Sequence, residues 1–276
     1  MTAISREEIL RRLRENIANG KPIIGTGAGT GISAKFEEAG GTDLIIVYNS
    51  GRYRMAGRGS SAGLLAYGDA NQIVMDMAGE ILPVVKNTPV LAGVNGTDPF
   101  KDMHLFLEKV KKVGYSGVQN FPTVGLFEGR MRTTLEETGM PYDMEVEMVH
   151  IAHEMDLFSS PYVFNEEEAI KMTKAGADMI VAHCGTTIGG SIGADSVMAL
   201  DEAVKYVQRI RDAAVSERSD VIVICHGGPI SSPEDAQYVL QHTTGVNGFY
   251  GASSAERIPV ETAITEHIRK FKNITF

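Results

Sequence analysis

Val221-Ile-Val-Ile-Cys-His-Gly-Gly-Pro229 and, a few turns later, Gly248-Phe-Tyr-Gly-Ala-Ser-Ser-Ala-Glu256 decide how this chain folds. A run of β-branched residues that stops at paired glycines reads as a buried parallel strand. The glycines let the backbone at its carboxyl end come close to a ligand. Two such ends in the last two units of a strand–helix chain match the phosphate site that (β/α)8 barrels often build after strands 7 and 8.

Working outward, the same alternation runs back through the chain. Strands are expected at Ile23–Gly25, Leu44–Tyr48, Val90–Gly93, Gly117–Asn120, Leu157–Ser159, Met179–Ala182, Val221–Cys225 and Gly248–Tyr250. Helical patterns lie between most of them, at Ile73–Val85, Asp102–Val113, Asp143–Met155, Glu166–Ala175, Ser196–Ala214, Pro233–Gln241 and Val260–Phe271. Eight strands alternating with helices predict a parallel α/β protein: a single (β/α)8 TIM barrel spanning residues 1–276 as one domain. A doubly wound open sheet is the alternative, because periodicity does not show closure. Ser5 and Glu8 have capping-box spacing, which predicts an extra amino-terminal helix across the amino-terminal mouth.

The 276 residues, 43% of them hydrophobic, suffice for one large core. A formal net charge of −9 argues against nucleic-acid and anionic-membrane partners. Cys184 and Cys225 both lie in apolar strand runs and read as buried thiols. With no apolar leader and no run long enough to span a bilayer, a cytoplasmic protein is expected. A homo-oligomer is expected as well.

Barrel chemistry sits at strand carboxyl ends. The loops there are rich in Asn, Ser, Thr, His and Gly, among them Ser160-Pro-Tyr162 and Asn95-Gly-Thr-Asp98. Backbone N–H groups of Gly227, Gly228, Gly251 and Ala252, with the hydroxyls of Ser253 and Ser254, are expected to hold a phosphate. The bland reading is that these glycines serve only tight turns. Gly25-Thr-Gly-Ala-Gly29 lacks the spacing of a dinucleotide fingerprint. Residues 49–70 carry Arg52, Arg54 and Arg58 among five glycines, which suggests a flexible lid clamping an anion, or else a subunit contact. His183 and His226 end neighbouring strands and are candidates for an acid–base pair or for metal ligation near Asp98. His150 and His153 share a helix with Glu147 and Glu154 but match no zinc pattern, and read as a solvated face.

Tyr48-Asn-Ser-Gly-Arg-Tyr-Arg-Met-Ala-Gly-Arg-Gly-Ser60, Gly117-Val-Gln-Asn-Phe-Pro-Thr-Val-Gly125, His226-Gly-Gly-Pro-Ile230 and Gly248-Phe-Tyr-Gly-Ala-Ser-Ser254 resemble the phosphoenolpyruvate hydrolase-like family of TIM-barrel proteins. The likeness runs nearly end to end and extends to the carboxyl-terminal region of a plant tobamovirus-resistance protein. It implies a TIM barrel and an enzyme, a phosphonopyruvate hydrolase-like hydrolase or lyase of a small phosphorylated or phosphono 2-oxo acid. On that reading loops 7 and 8 grip the phosphorus group, Arg54 pairs the carboxylate, and His183, His226 and Asp98 carry the chemistry. A divalent metal, Mg2+ foremost, is the cofactor implied. One departure stands out: strand 2 ends in Asn49-Ser50 where the phosphoenolpyruvate mutase and isocitrate lyase relatives carry acids that hold Mg2+. The second reading is a non-catalytic regulator that binds a phosphometabolite or nucleotide.

Overall fold

The computed structural model describes residues 3–276. The chain begins with α1 (Arg6–Ala18) and then alternates: β1 (Ile23–Gly27), α2 (Gly31–Ala39), β2 (Leu44–Val47), α3 (Asn49–Met55), α4 (Ala70–Ile81), β3 (Val90–Gly93), α5 (Met103–Val113) and β4 (Gly117–Gln119). After α6 (Gly129–Glu137) and α7 (Tyr142–Glu154) come two short strands, β5 (Phe158–Ser159) and β6 (Tyr162–Val163). The last units are α8 (Glu166–Lys174), β7 (Met179–His183), α9 (Leu200–Glu217), β8 (Ile222–His226), α10 (Pro233–His242), β9 (Gly248–Gly251) and α11 (Ile258–Lys272).

All strand pairs are parallel, in the order β5-β4-β3-β2-β1-β9-β8-β7-β6. The two ends of that order, β5 and β6, are consecutive in the chain and separated by Ser160 and Pro161. The same stretch thus bonds to both sides. Phe158 and Ser159 pair with β4, while Ser159 O and Pro161 O accept from Asp178 N and Val181 N beside β7. Among the described residues nine paired segments therefore stand where eight were expected. Pro161 lacks an N–H and interrupts the ladder between β5 and β6.

The β-branched runs predicted as strands are fully buried, with Leu44, Ile45, Ile46 and Val47 all at 0% exposure. Most helices that cover the sheet bury one apolar stripe, such as Phe106, Leu107 and Val110 of α5. The amino-terminal helix forms as expected. Ser5 accepts from Glu8 N, but the reciprocal bond of a capping box is not made, since the Glu8 carboxylate pairs with Arg11 and Arg12 instead. α1 lies across the amino ends of the strands. Ile4 N–H donates to Ser116 Oγ ahead of β4, and Arg6 pairs with buried Asp178 ahead of β7, 2.8 Å apart. The complete capping box sits on α10, between Ser232 and Asp235.

Residues 49–70 are structured, which corrects the expectation that their arginines ride on a flexible glycine-rich loop. They form α3 and a 3-10 turn at Ser60–Leu64, packed on the carboxyl end of the sheet. Asn49 and Ser50 are buried; Asn49 Nδ2 donates to Gly63 O at 2.9 Å and Ser50 Oγ to Ser60 O at 2.7 Å. Both cysteines are buried and free, and burial pushes the Cys184 thiol up to about 12. Among the described residues no helix is long and apolar enough to cross a membrane.

Candidate functional site at the carboxyl ends of the strands

His183 and His226 are register partners at the ends of β7 and β8. Parallel pairing puts their side chains side by side, with ring centroids 4.6 Å apart. Both are nearly buried, at 5% and 6% exposure. Tyr162 from β6 closes the group. Its ring stacks on His226 at 5.0 Å and meets His183 edge-on at 4.7 Å.

The two imidazoles have opposite proton patterns, set by their backbone partners. The Tyr250 carbonyl lies 2.6 Å from His226 Nδ1. A carbonyl only accepts, so Nδ1 carries the proton and Nε2 presents a bare lone pair. Gly185 N–H donates to His183 Nδ1 at 3.0 Å, so the proton of that neutral ring sits on Nε2. One ring offers an acceptor and its neighbour a donor. Burial keeps both neutral: it pulls His226 down to about 4, and holds His183 well below the usual histidine range, with His226 adding to the second effect.

A cavity of about 40 Å³ opens on this pair. Tyr48, Phe121 and Tyr162 form its aromatic walls, and Ser50, Ser60, Ala252 and Ser253 line it with the 185–187 loop. None of the residues lining it is acidic. Ser60 and Ser253 hydroxyls lie 3.2 Å apart, so the 3-10 turn is latched to the β9 loop. The volume suits a water or one small group, so a larger ligand enters only when the Ser60–Leu64 turn or the 185–187 loop moves.

The structure brings His183, His226, Ala252 and Ser253 together and sets the other predicted site residues apart. Asp98 lines a different hollow with Asn95 and Phe100, where it accepts from Asn71 Nδ2 at 2.9 Å. Gly227 and Gly228 have φ of +76° and +57°, and a Cβ on either would strike the Gly185 or Cys184 carbonyl. Close packing of the loop after β8 on the loop after β7 is thus one sufficient reason for these glycines. The Gly228 N–H already donates to Gly185 O. Gly251 is hemmed in by Ser254 Oγ and the Phe249 ring, and Ser254 lines an outer groove instead of the cavity.

Arg54 is not a mobile clamp. Its side chain is fully buried and paired with Glu256, Nη2 to Oε2 at 2.6 Å, while the same nitrogen donates to Gly27 O at 2.8 Å. Glu256 Oε1 accepts from Gly29 N–H at 2.6 Å. This ion pair ties α3, the β1 loop and the turn after β9 together beneath Tyr48. Glu37 lies near it and is pushed up to about 7, first by burial and then by Glu256. Arg52 pairs with Glu80 on the exposed side, and Arg58 donates to the carbonyls of Ala56 and Gly57. His150 stands on the solvated face as expected, while His153 Nδ1 lies 3.1 Å from Arg6 Nη2.

Among the described residues no group of three or more His, Cys, Asp or Glu is placed to hold a metal ion. Mg2+ favours carboxylate and other oxygen ligands. Here the walls offer imidazoles, phenols and serine hydroxyls, while Glu256 is tied to Arg54 and Asp98 to Asn71. That donor set does not fit Mg2+. The residues that reasoning from sequence missed are Tyr48, Tyr162 and Glu256. Tyr162 stood in the Ser160-Pro-Tyr162 strand end, and its aromatic ring inside a polar loop was the available signal.

The tomato (Solanum lycopersicum) ToMV resistance protein Tm-1(GCR237) is 61% identical over 274 residues, which is 99% of this chain and 36% of that protein. The chain thus spans roughly a third of the length of this relative. Among solved structures, oxaloacetate acetylhydrolase in complex with oxalate superposes with a TM-score of 0.60 at 16% identity, covering 99% of this chain and 89% of the other. Phosphonopyruvate hydrolase in complex with oxalate and Mg2+ gives 0.59 at 15% identity, covering 98% and 87%. At those identities the likeness establishes a shared fold. The phosphoenolpyruvate hydrolase-like family model matches residues 8–274, and the chain belongs to that family.

Proposed function

We propose that this chain is a (β/α)8-barrel enzyme, with β5 and β6 as one strand kinked at Pro161 and the described residues forming one domain. Its reaction is a proton-transferring hydrolysis or lysis of a small 2-oxo acid carrying a phosphoryl or phosphono group. The observation that carries this reading is the complementary histidine pair: a neutral acceptor at His226 Nε2 beside a neutral donor at His183 Nε2. A pair of like groups with opposite proton patterns is what acid–base chemistry needs at neutral pH. For hydrolysis of a phosphono acid, His226 Nε2 takes a proton from water as its oxygen bonds to phosphorus. The carbon–phosphorus bond breaks and its electron pair becomes the enolate; His183 Nε2–H gives its proton to that enolate and is reprotonated with the proton His226 Nε2 took from water, which restores both neutral rings. Ser60, Ser253 and the Ala252 backbone flank the pair and are assigned to the phosphorus end of the ligand. The Ser60–Leu64 turn opens for entry by releasing the Ser50, Asn49 and Ser253 bonds. Steady-state assays of the purified chain on phosphonopyruvate, phosphoenolpyruvate and oxaloacetate, with and without divalent metals, test the reading. Release of pyruvate, phosphate or oxalate supports it. No product from any of them sinks it in favour of a non-catalytic phosphometabolite-binding protein.

Two copies of the chain are proposed to associate through α11. This helix buries none of its own residues and exposes Ile264, Ile268 and Phe271 at 60%, 54% and 57%. An apolar groove of about 790 Å³, lined by Ile17, Pro22, Leu240, Val246 and Phe249, lies uncovered between α1, α10 and β9. Large apolar faces left bare on one chain mark an interaction site. Light scattering after size exclusion is expected to give a dimer or higher species for the wild type and a monomer for Ile264→Glu/Ile268→Glu. A monomeric wild type would overturn this.

A further inference from the structure

Two polar groups in and just behind the cavity's wall have no hydrogen-bond partner among the described residues. Tyr162 is 1% exposed, yet its hydroxyl has no hydrogen-bond partner among the described residues. Behind Tyr48, itself 4% exposed, the Arg54 guanidinium sits 5.8 Å from the phenol ring centre, and its Nη1 is likewise unpartnered. Gly27 leaves room for the Tyr48 hydroxyl: a Cβ there would lie 2.9 Å from it. The ring of Phe121 packs 4.9 Å from Tyr48 and 6.4 Å from Tyr162 and holds the two phenols on one side of the cavity.

Facing this space are the Tyr48 and Tyr162 hydroxyls and the His183 Nε2–H as donors, with His226 Nε2 as the committed acceptor beside serine and threonine hydroxyls that serve either way. A buried donor without a partner is destabilising, so such groups beside one small space call for a guest that accepts hydrogen bonds. The guest is an anion, because the lining contains no acidic side chain and the charge on Arg54 lies just behind it. The aromatic walls, Tyr48, Phe121 and Tyr162, favour a flat carboxylate or enolate on that side of the space.

We propose that Tyr48 and Tyr162, with His183 Nε2–H, form an oxyanion hole that receives the carboxylate or developing enolate oxygen of the 2-oxo acid. The substrate class rests on the proposed function above; the anion hole itself does not. Phenol donors would supply the stabilisation of developing negative charge where the donor set does not fit a hard cation.

Isothermal titration with oxalate as the probe tests this on the full 276-residue chain. Oxalate is expected to bind the wild type, and Tyr162→Phe and Tyr48→Phe each to weaken it at least about 10-fold, the loss of one hydrogen bond to a charged group. The thermal midpoint of Tyr162→Phe should hold or rise, because the change removes an unpartnered buried hydroxyl. A hydroxyl with a structural role would lower it. Oxalate failing to bind the wild type, or binding Tyr162→Phe equally well, overturns the inference. Tighter binding of inorganic phosphate than of oxalate, weakened by the same changes, overturns the carboxylate assignment. If oxalate binding depends on both tyrosines while the substrate panel yields no product, the anion hole stands and the catalytic reading falls.

Discussion

Replacing Arg54 by methionine is expected to lower the stability of the fold by about 3–5 kcal/mol, because it strands the Glu256 carboxylate in a buried site. Both side chains of this pair are 0% exposed. The guanidinium gives Nε and Nη2 to Glu256 Oε2 and Nη2 to Gly27 O, and without it Glu256 keeps only the Gly29 N–H. Glu37, already raised by burial and by Glu256, would add its own repulsion once the intervening cation is gone. Methionine fills much of the arginine stem volume, so a cavity is a minor part of the cost. The double variant Arg54→Met/Glu256→Met is expected to recover part of the loss, since removing both charges removes the stranded one. It does not recover all of it, because Gly29 N–H and Gly27 O are then left unpaired. Urea denaturation of the two variants beside the wild type decides the matter. A loss below about 1 kcal/mol for Arg54→Met would show that water reaches Glu256 and that the pair behaves as a surface one.

This pair also marks where the sequence stops being informative. Arg54 and Glu256 are 202 positions apart, and no local pattern connects them. Three arginines in a glycine-rich stretch looked like a mobile clamp because composition does not show that Asn49, Ser50 and Arg54 are buried, the first two bonded within the segment and Arg54 to Glu256 far along the chain. Strands read well because β-branched runs such as Leu44–Val47 and Ile222–Cys225 have no other place to go than the sheet. α6 was silent for the opposite reason: it buries no residue, so it shows no apolar stripe. β6 was hidden behind Pro161, which reads as the end of a strand. The histidines were legible as strand ends facing one cavity. Their complementary tautomers were not, because these depend on Gly185 N–H and Tyr250 O, two backbone groups brought there by the fold.

The second large effect concerns the histidine whose lone pair faces the cavity. His226→Asn is expected to cut turnover on any accepted substrate by about 10²–10⁴-fold, the usual contribution of one acid–base group. Asparagine is chosen because its side-chain N–H can still donate to Tyr250 O and so spare the loop after β9. Alanine would leave that carbonyl unpaired and the Tyr162 ring without its stacking partner, confusing a folding defect with a catalytic one. The pH dependence gives an independent sign. In the folded protein His226 stays neutral down to about pH 4, so the wild-type rate should be flat through the neutral range and fall as the ring gains a proton near pH 4. In the unfolded chain the same ring titrates near 6.5, so between pH 6.5 and about 4 the unfolded state binds the extra proton. Stability therefore rises with pH across that window and is lost as pH falls through it. A displacement from 6.5 to about 4 corresponds to about 3 kcal/mol. The buried, neutral His183 acts in the same direction. His226→Asn should flatten this slope in parallel with the loss of turnover. An equal slope in wild type and variant, or turnover unchanged within error, would remove His226 from the catalytic pair. Loss of turnover together with the flatter slope ties the chemistry and the titration to one buried imidazole.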